Sequence, residues 1–265
     1  ILDEVTWEDL EMDEVFLRIN HTNSFIGEQY LYHRLHGIKG EKEENSVKTE
    51  DRLRYLEENE DLRVHYEAKL LQVGKRTNAY YLAEFLQNTD LWKIGNNYIF
   101  HVLQLLLLVF LVGAFVTNQL FVKAGCFLVA VINLVIYTNV KMKFEVYIQA
   151  LNDFILVLDT ANWFHKNDKQ TLFTDQKVKE ALESLKSLSG RMNLFIGKKQ
   201  SAMTGDAFAV FFDYLWGITL LDLSLFNYIM KKICNKQDAV FTILKYVGEI
   251  DSDIAILSFR KSQDI

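Results

Sequence analysis

The chain has 265 residues, of which 50% are hydrophobic, with a net charge of −6, two cysteines and no proline. Average usage would give roughly a dozen prolines, so this depletion excludes proline-rich linkers and collagen-like repeats and favours long helices, whose interiors proline disrupts. Two cysteines exclude a disulfide framework. A nucleic-acid-binding protein usually carries a broad basic region, and this sequence has none.

The charge is unevenly distributed and divides the chain into three segments. Residues 1–97 carry 12 Lys and Arg against 20 Asp and Glu, residues 98–140 carry only Lys123, and residues 141–265 carry 16 basic against 15 acidic residues. We therefore expect a first helical part at 1–97, an apolar helical hairpin at 98–140, and a long helix with a second helical part at 141–265.

The first segment shows the spacing of short amphipathic helices. Thr6, with an acid three residues later, predicts a helix N-cap, and apolar residues at i, i+3, i+4 and i+7 place Met12 and Ile19 on one helical face. Ser24 predicts the cap of a second helix. The same periodicity predicts two further helices, separated at Asn59, around Leu53, Leu56, Leu62, Tyr66, Leu70 and Val73.

Two apolar runs follow, at residues 98–116 and 120–137. A bilayer core of about 30 Å requires about 20 apolar helical residues, so the two runs predict a hairpin that crosses a membrane and returns. Lys123 and Asn133 lie within the second run. They favour the alternative, a hairpin buried in the core of a soluble protein.

The flanking lysines predict an orientation for this hairpin. Lys93 precedes the first run and Lys141 and Lys143 follow the second, whereas the connecting turn has only Lys123 nearby. Because positive charge is enriched on the cytoplasmic side, we expect both flanks of the hairpin in the cytoplasm.

The third segment predicts a long helix and then further core helices. A heptad-like seam begins after Lys141, which permits pairing within the chain or with a second copy; its members are Phe144, Ile148, Leu151, Ile155, Leu158 and Asn162. Residues 208–230 are apolar but include two acids, which are costly in lipid, so we expect a buried helix there. A last helix begins at about Asp238.

No motif in the chain predicts catalysis or a bound cofactor. The glycine-rich patterns that bind phosphates or dinucleotides are absent. His33 and His36 lie three residues apart beside Glu28, a spacing that suits a metal pair but also an exposed helix surface. We therefore expect no catalytic residue, no metal site and no cofactor in this segment.

Two lysine pairs are the only candidates for binding phosphate groups. They are Lys198 with Lys199 and Lys231 with Lys232. Such pairs suit the phosphates of DNA or of lipid, and solvated surface lysines are the alternative. We keep them as candidate DNA-binding residues.

Three stretches resemble the MutS mismatch-repair family. Residues 24–35 resemble the opening of its core domain, T-x-M-G-x-R-x-L-x-x-W-L, with Arg34 in place of the Trp. Residues 50–56 are similar to its R-L-x-x-V/L segment, and residues 247–255 look like its i-x-E-L-D-x-x-x-A helix. The chain as a whole most resembles divergent bacterial MutS-related proteins that carry membrane segments ahead of the ATPase.

This resemblance implies an all-α, multi-helix core (lever) domain with a long apolar hairpin inserted. It implies a function in transmitting conformational change to and from a C-terminal ABC-type ATPase, which would bind ATP and Mg²⁺ beyond Ile265. It also implies a homodimer at a bacterial inner membrane, with cytoplasmic flanks and no catalysis by this segment.

The chain also departs from the family. The mismatch-reading Phe-x-Glu of the family is absent, so mismatch recognition is not expected and DNA binding stays open. Two alternatives remain: a soluble, cytoplasmic DNA-binding core with the hairpin buried, and a membrane-embedded helical scaffold unrelated to MutS.

Overall fold

The computed structural model describes residues 4–37, 43–87, 97–117, 119–168, 172–186 and 214–263. These residues form helices joined by turns, with no strand among them, which confirms the predicted all-α fold. The helices are α1 (Glu4–Asp9), α2 (Met12–Ile19), α3 (Phe25–His36), α4 (Glu43–Glu58), α5 (Glu60–Val73), a 3₁₀ helix (Thr77–Tyr81), α6 (Leu82–Gln87), α7 (Asn97–Thr117), α8 (Leu120–Asn167), α9 (residues 176–186), α10 (residues 214–219), α11 (Leu221–Cys234) and α12 (Gln237–Gln263).

The two predicted N-caps have different outcomes. Ser24 caps α3 as predicted, because its side chain accepts a hydrogen bond from the Gly27 N–H. Thr6 is not a cap, since α1 already begins at Glu4. The chain then turns at Glu11, which adopts a left-handed conformation with φ 50°. This turn lets Trp7 and Met12 share one small apolar cluster with Leu35.

The second apolar run and the predicted long helix form one continuous helix. The helix expected to begin at Lys141 begins instead at Leu120 and continues for 48 residues as α8. No glycine or proline occurs between Gly125 and the end of α8. Nothing in the backbone chemistry therefore interrupts its ladder of hydrogen bonds.

The chain forms two compact units, and both are discontinuous in sequence. The first unit takes its described residues from 1–80, 156–186 and 238–265, and the second from 81–155 and 187–237. Helix α8 contributes residues 120–155 to the second unit and 156–167 to the first. These units are defined by packing, whereas the three consecutive segments of the sequence analysis are defined by charge.

Aromatic side chains form the centre of the first unit. Tyr66 of α5 is fully buried and stacks on Phe164 of α8, with ring centroids 4.4 Å apart. Trp163 and Phe173 meet the same tyrosine edge-on, at 5.6 and 6.0 Å. Burial of large aromatic side chains and their edge-to-face contacts stabilise this region.

The second unit has a core of its own. Phe85 of α6 stacks on Tyr147 of α8, with centroids 5.0 Å apart. The Gln237 side chain donates to the Leu86 carbonyl at 2.8 Å. Helix α11 buries one face, as expected for a core helix, with Leu223, Phe226, Ile229, Met230 and Ile233.

The segment expected to be one buried helix at 208–230 is interrupted within its described part. Helix α10 ends at residue 219, and Leu220 has a left-handed conformation with φ 54° before α11 begins. Residues 208–213 lie outside the described part of the chain.

Helices α3 and α12 approach each other closely in the first unit, and Gly248 permits the approach. A Cβ atom at Gly248 would lie 2.8 Å from Tyr30 Cβ and 2.9 Å from the Ile26 carbonyl oxygen. Both neighbours are at or next to the α3 backbone and cannot move away independently of the helix.

We expect Gly248→Ala to lower the free energy of unfolding by about 1–3 kcal/mol, because the added methyl forces α3 and α12 apart. Thermal unfolding followed by far-UV circular dichroism measures this. Gly37→Ala is the matched control, since a Cβ there meets only two carbonyl oxygens at 3.5 Å. Equal losses in both variants would contradict the close contact as the cause.

Candidate functional site

The carboxylate of Asp251 on α12 caps the start of α3. It accepts hydrogen bonds from the Asn23 N–H at 2.9 Å, the Ser24 N–H at 2.8 Å and the Ser24 hydroxyl at 2.5 Å. Asp251 is fully buried. Burial raises the pKa of Asp251, although its three donors oppose the shift. The negative charge also lies at the helix N-terminus, where the helix dipole favours it.

Gly27 makes room for this carboxylate. A Cβ atom at Gly27 would overlap the Asp251 carboxyl group. The Gly27 N–H donates to Ser24 Oγ at 3.1 Å, while the same hydroxyl donates to Asp251. Ser24 therefore links the first turn of α3 to α12.

Two arginines bind the acids on either side of Asp251 in α12, Glu249 and Asp253. Arg34 of α3 donates to Asp253 Oδ1 at 2.8 Å, and Arg52 of α4 donates to Asp253 Oδ2 at 2.7 Å. Arg52 also pairs with Glu249 at 2.8 Å. Burial alone would lower the pKa of Arg52, but Asp253 and Glu249 outweigh that effect and raise it.

We call Ser24, Arg34, Arg52, Glu249, Asp251 and Asp253 the charge network. It brings together the three stretches at 24–35, 50–56 and 247–255, of which the first and the last are joined across 227 residues of sequence. Arg34, which stands where the MutS pattern has Trp, is an ion-pair partner here.

The charge network has the chemistry of a structural contact that holds α3, α4 and α12 together. Its carboxylates are satisfied by N–H, hydroxyl and guanidinium donors, and buried charges require such partners. Among the described residues, no group of three or more His, Cys, Asp or Glu side chains is arranged to hold a metal ion. His36, one of the two histidines whose spacing would suit a metal pair, stacks on Trp7 with centroids 3.7 Å apart.

The second feature is the apolar hairpin of α7 and the first part of α8. The two helices cross closely at small residues: a Cβ atom at Gly113 would lie 3.1 Å from Val122, and one at Gly125 would overlap the Phe110 ring. These pairs, 113 with 122 and 110 with 125, make the helices antiparallel.

The hairpin is long, apolar and largely exposed. Both helices are long and apolar enough to cross a membrane. Phe100 is the only buried residue of α7, and side chains in the middle of the helix, such as Leu108, are 59% exposed. In α8 up to residue 147, the buried residues are Val129, Asn133 and Tyr137, which lie on one face.

Helices α10 and α11 lie against the half of the hairpin that is far from its turn, near the start of α7. Gln104 donates to the Ser224 hydroxyl at 3.0 Å, and Asn227 donates to Asn97 at 2.6 Å, so α11 runs antiparallel to α7. Tyr137 of α8 packs on Gly217, where a Cβ atom would overlap its ring.

Asn133 is explained by this arrangement. It is fully buried, and its amide donates to the Ile218 carbonyl at 2.8 Å, next to the break between α10 and α11. Its Oδ1 atom has no partner. In the sequence, Asn133 favours a hairpin that is buried in protein. In the structure, its side chain faces α10.

The candidate phosphate-binding lysines have different outcomes. Lys198 and Lys199 lie outside the described residues. Lys231 and Lys232 are exposed in the last turn of α11. The Lys232 ammonium lies 5.9 Å from the centre of the Tyr228 ring.

No known protein family, curated protein or solved structure matches the chain. The MutS relationship therefore stays a hypothesis drawn from sequence resemblance.

Sequence reasoning missed the roles of Arg34, Arg52 and Asp253. The one signal in the sequence is that three acids, at 249, 251 and 253, lie among the apolar residues in the middle of α12. Acids at such positions need buried donors, but the sequence alone does not say which arginines supply them.

We expect Asp253→Asn to lower the free energy of unfolding by about 3–5 kcal/mol, because the buried Arg52 and the partly exposed Arg34 then lose the counter-charge that they share. Denaturant unfolding measures the loss. Glu50→Gln is the control: Glu50 pairs with Arg260 at 2.6 Å, but both side chains are 50% exposed, and such surface pairs contribute about 0–1 kcal/mol. Similar losses in the two variants would contradict a special role for the charge network.

Proposed function

We propose that this chain is the helical core, or lever, region of a MutS-like ATPase, anchored in a membrane by the α7–α8 hairpin. The observation that carries the proposal is the charge network. Three short stretches that resemble MutS in sequence also pack together, through Ser24, Arg52 and their partners on α12. Segments inherited together from a core domain would be expected to keep such a contact.

The proposed role is mechanical. Helix α8 is unbroken for 48 residues and supplies side chains to the cores of both units. A helix of this length spans about 70 Å. In the proposal, movement of the ATPase domain is passed along α8 and through the joint made by the charge network. The segment itself performs no catalysis.

The proposal that the hairpin anchors the protein in a membrane is supported by the exposure of its apolar side chains. A core hairpin in a soluble protein buries most of its side chains, whereas α7 buries only Phe100. The 21 residues of α7 extend about 31 Å, which matches a hydrocarbon core of about 30 Å. The polar side chains Gln104 and Asn133 face protein. This pattern favours lipid around the hairpin over the soluble alternative.

Nucleic-acid binding is the less favoured function. Residues 1–97 carry an excess of eight acidic charges, and the charge network uses two of its arginines internally. The proposed function therefore does not include DNA mismatch recognition.

The anchor predicts that the full-length protein stays in the membrane pellet after alkaline carbonate and high-salt washes. Replacing exposed Leu108 and Val112 by lysine should abolish retention, because each lysine at a helix centre costs about 2.5–3.5 kcal/mol in lipid. Leu17→Lys, at a position 71% exposed in α2, is the control and should change nothing. Release of the unaltered protein by the wash contradicts the anchor.

The MutS-like proposal predicts a G-x-x-x-x-G-K-[ST] phosphate-binding motif in the natural gene beyond residue 265. It also predicts that purified residues 1–265 hydrolyse no ATP, whereas the full-length protein does. Reading the gene and a phosphate-release assay check both statements. A gene without this motif contradicts the ATPase relationship and leaves the membrane scaffold unrelated to MutS.

A further inference from the structure

The lysines at one end of the hairpin come from two separate parts of the sequence. Lys141 and Lys143 follow the apolar arm of α8, and Lys231 and Lys232 end α11. Because α11 runs antiparallel to α7, with Asn227 bonded to Asn97, its last turn lies at the end where α7 begins. Helix α8 returns to that same end. We call these four lysines the basic collar.

Tyrosines accompany two of these lysines in the same way. The Lys141 ammonium lies 5.3 Å from the centre of the Tyr137 ring, and that of Lys232 lies 5.9 Å from the Tyr228 ring. In both pairs the tyrosine precedes the lysine by four residues, one helical turn. Tyr137 is buried against Gly217, so its ring faces protein. Tyr228 is only partly buried, and tyrosines are enriched at membrane–water interfaces.

The local charge balance is strongly positive. Residues 138–147 and 224–237 contain five lysines, including Lys236, and one acid, Glu145. Lys143, Lys231 and Lys232 are exposed. The opposite end of the hairpin has Lys123 alone. The basic ammonium groups are therefore concentrated where the head groups of a single leaflet would lie.

We propose that the basic collar binds the phosphate groups of anionic phospholipids in the leaflet next to the flanks of the hairpin. This inference rests on the proposed membrane anchor and goes beyond it, because an anchor needs no lipid preference. Lysines near a membrane surface are attracted to anionic lipid with energies that are individually modest and additive in a cluster. DNA phosphate is the competing ligand, and it is less favoured because the collar adjoins the apolar arm.

The test uses the full-length protein reconstituted in phosphatidylcholine nanodiscs that contain spin-labelled lipid. Electron paramagnetic resonance compares the association of labelled phosphatidylglycerol with that of labelled phosphatidylcholine. We expect a preference of at least about five-fold for phosphatidylglycerol, which weakens at high salt. K141Q/K143Q and K231Q/K232Q should each reduce it, their combination should abolish it, and K231R/K232R should keep it.

K177Q/K179Q is the matched control, since it removes the same charge from two exposed lysines of α9 in the first unit. If the protein resists carbonate extraction but associates equally with the two lipids, the proposed lipid binding by the basic collar is wrong and the proposed membrane anchor still holds. An equal loss of preference in the control also overturns it. So does salt-dependent binding of duplex DNA that is lost in K231Q/K232Q while the lipid preference is unchanged. Extraction of the unaltered protein by carbonate removes both the anchor and this inference.

Discussion

The buried carboxylate of Asp251 is the interaction on which the first unit depends. It replaces water for the N–H groups at the start of α3 and links that helix to α12 across 227 residues of sequence. Burying a charge without partners would cost several kcal/mol. The Asp251 carboxylate therefore needs both the hydrogen-bond donors of Asn23 and Ser24 and the space left by the absent side chain of Gly27. The ion pairs of Asp253 then bring α4 to the same helix.

In the second unit the feature to explain is an exposed apolar surface rather than a buried charge, because most side chains of α7 are not covered by protein. Helices α10 and α11 contact the half of the hairpin that lies away from its turn and bind polar side chains there, among them Gln104 and Asn133. The other half presents leucine, valine and phenylalanine outward. Solvent exposure of so continuous an apolar surface is unfavourable in water, and the proposed membrane anchor would place this surface in lipid.

Much of the fold was predictable from sequence, because helix periodicity and capping are local. The helices around Leu56 and Tyr66, the Ser24 cap and the start of α12 follow from neighbouring residues. The breaks at Glu11 and Leu220 did not, since neither residue type favours a positive φ. Burial of Trp7 and Met12 near Glu11, and of Leu220 itself, outweighs the local preference.

The features of the candidate sites also divide into those that depend on neighbouring residues and those that depend on packing. The sequence by itself determined that the chain is helical, that residues 98–140 are almost without charge, and that acids interrupt the apolar pattern of α12. Only the tertiary structure decided which arginines neutralise those acids, that Asn133 faces protein, and that lysines from α8 and α11 lie at one end of the hairpin. The physical reason is that periodicity depends on neighbours within a few residues, whereas charge compensation depends on groups that meet only when distant helices pack.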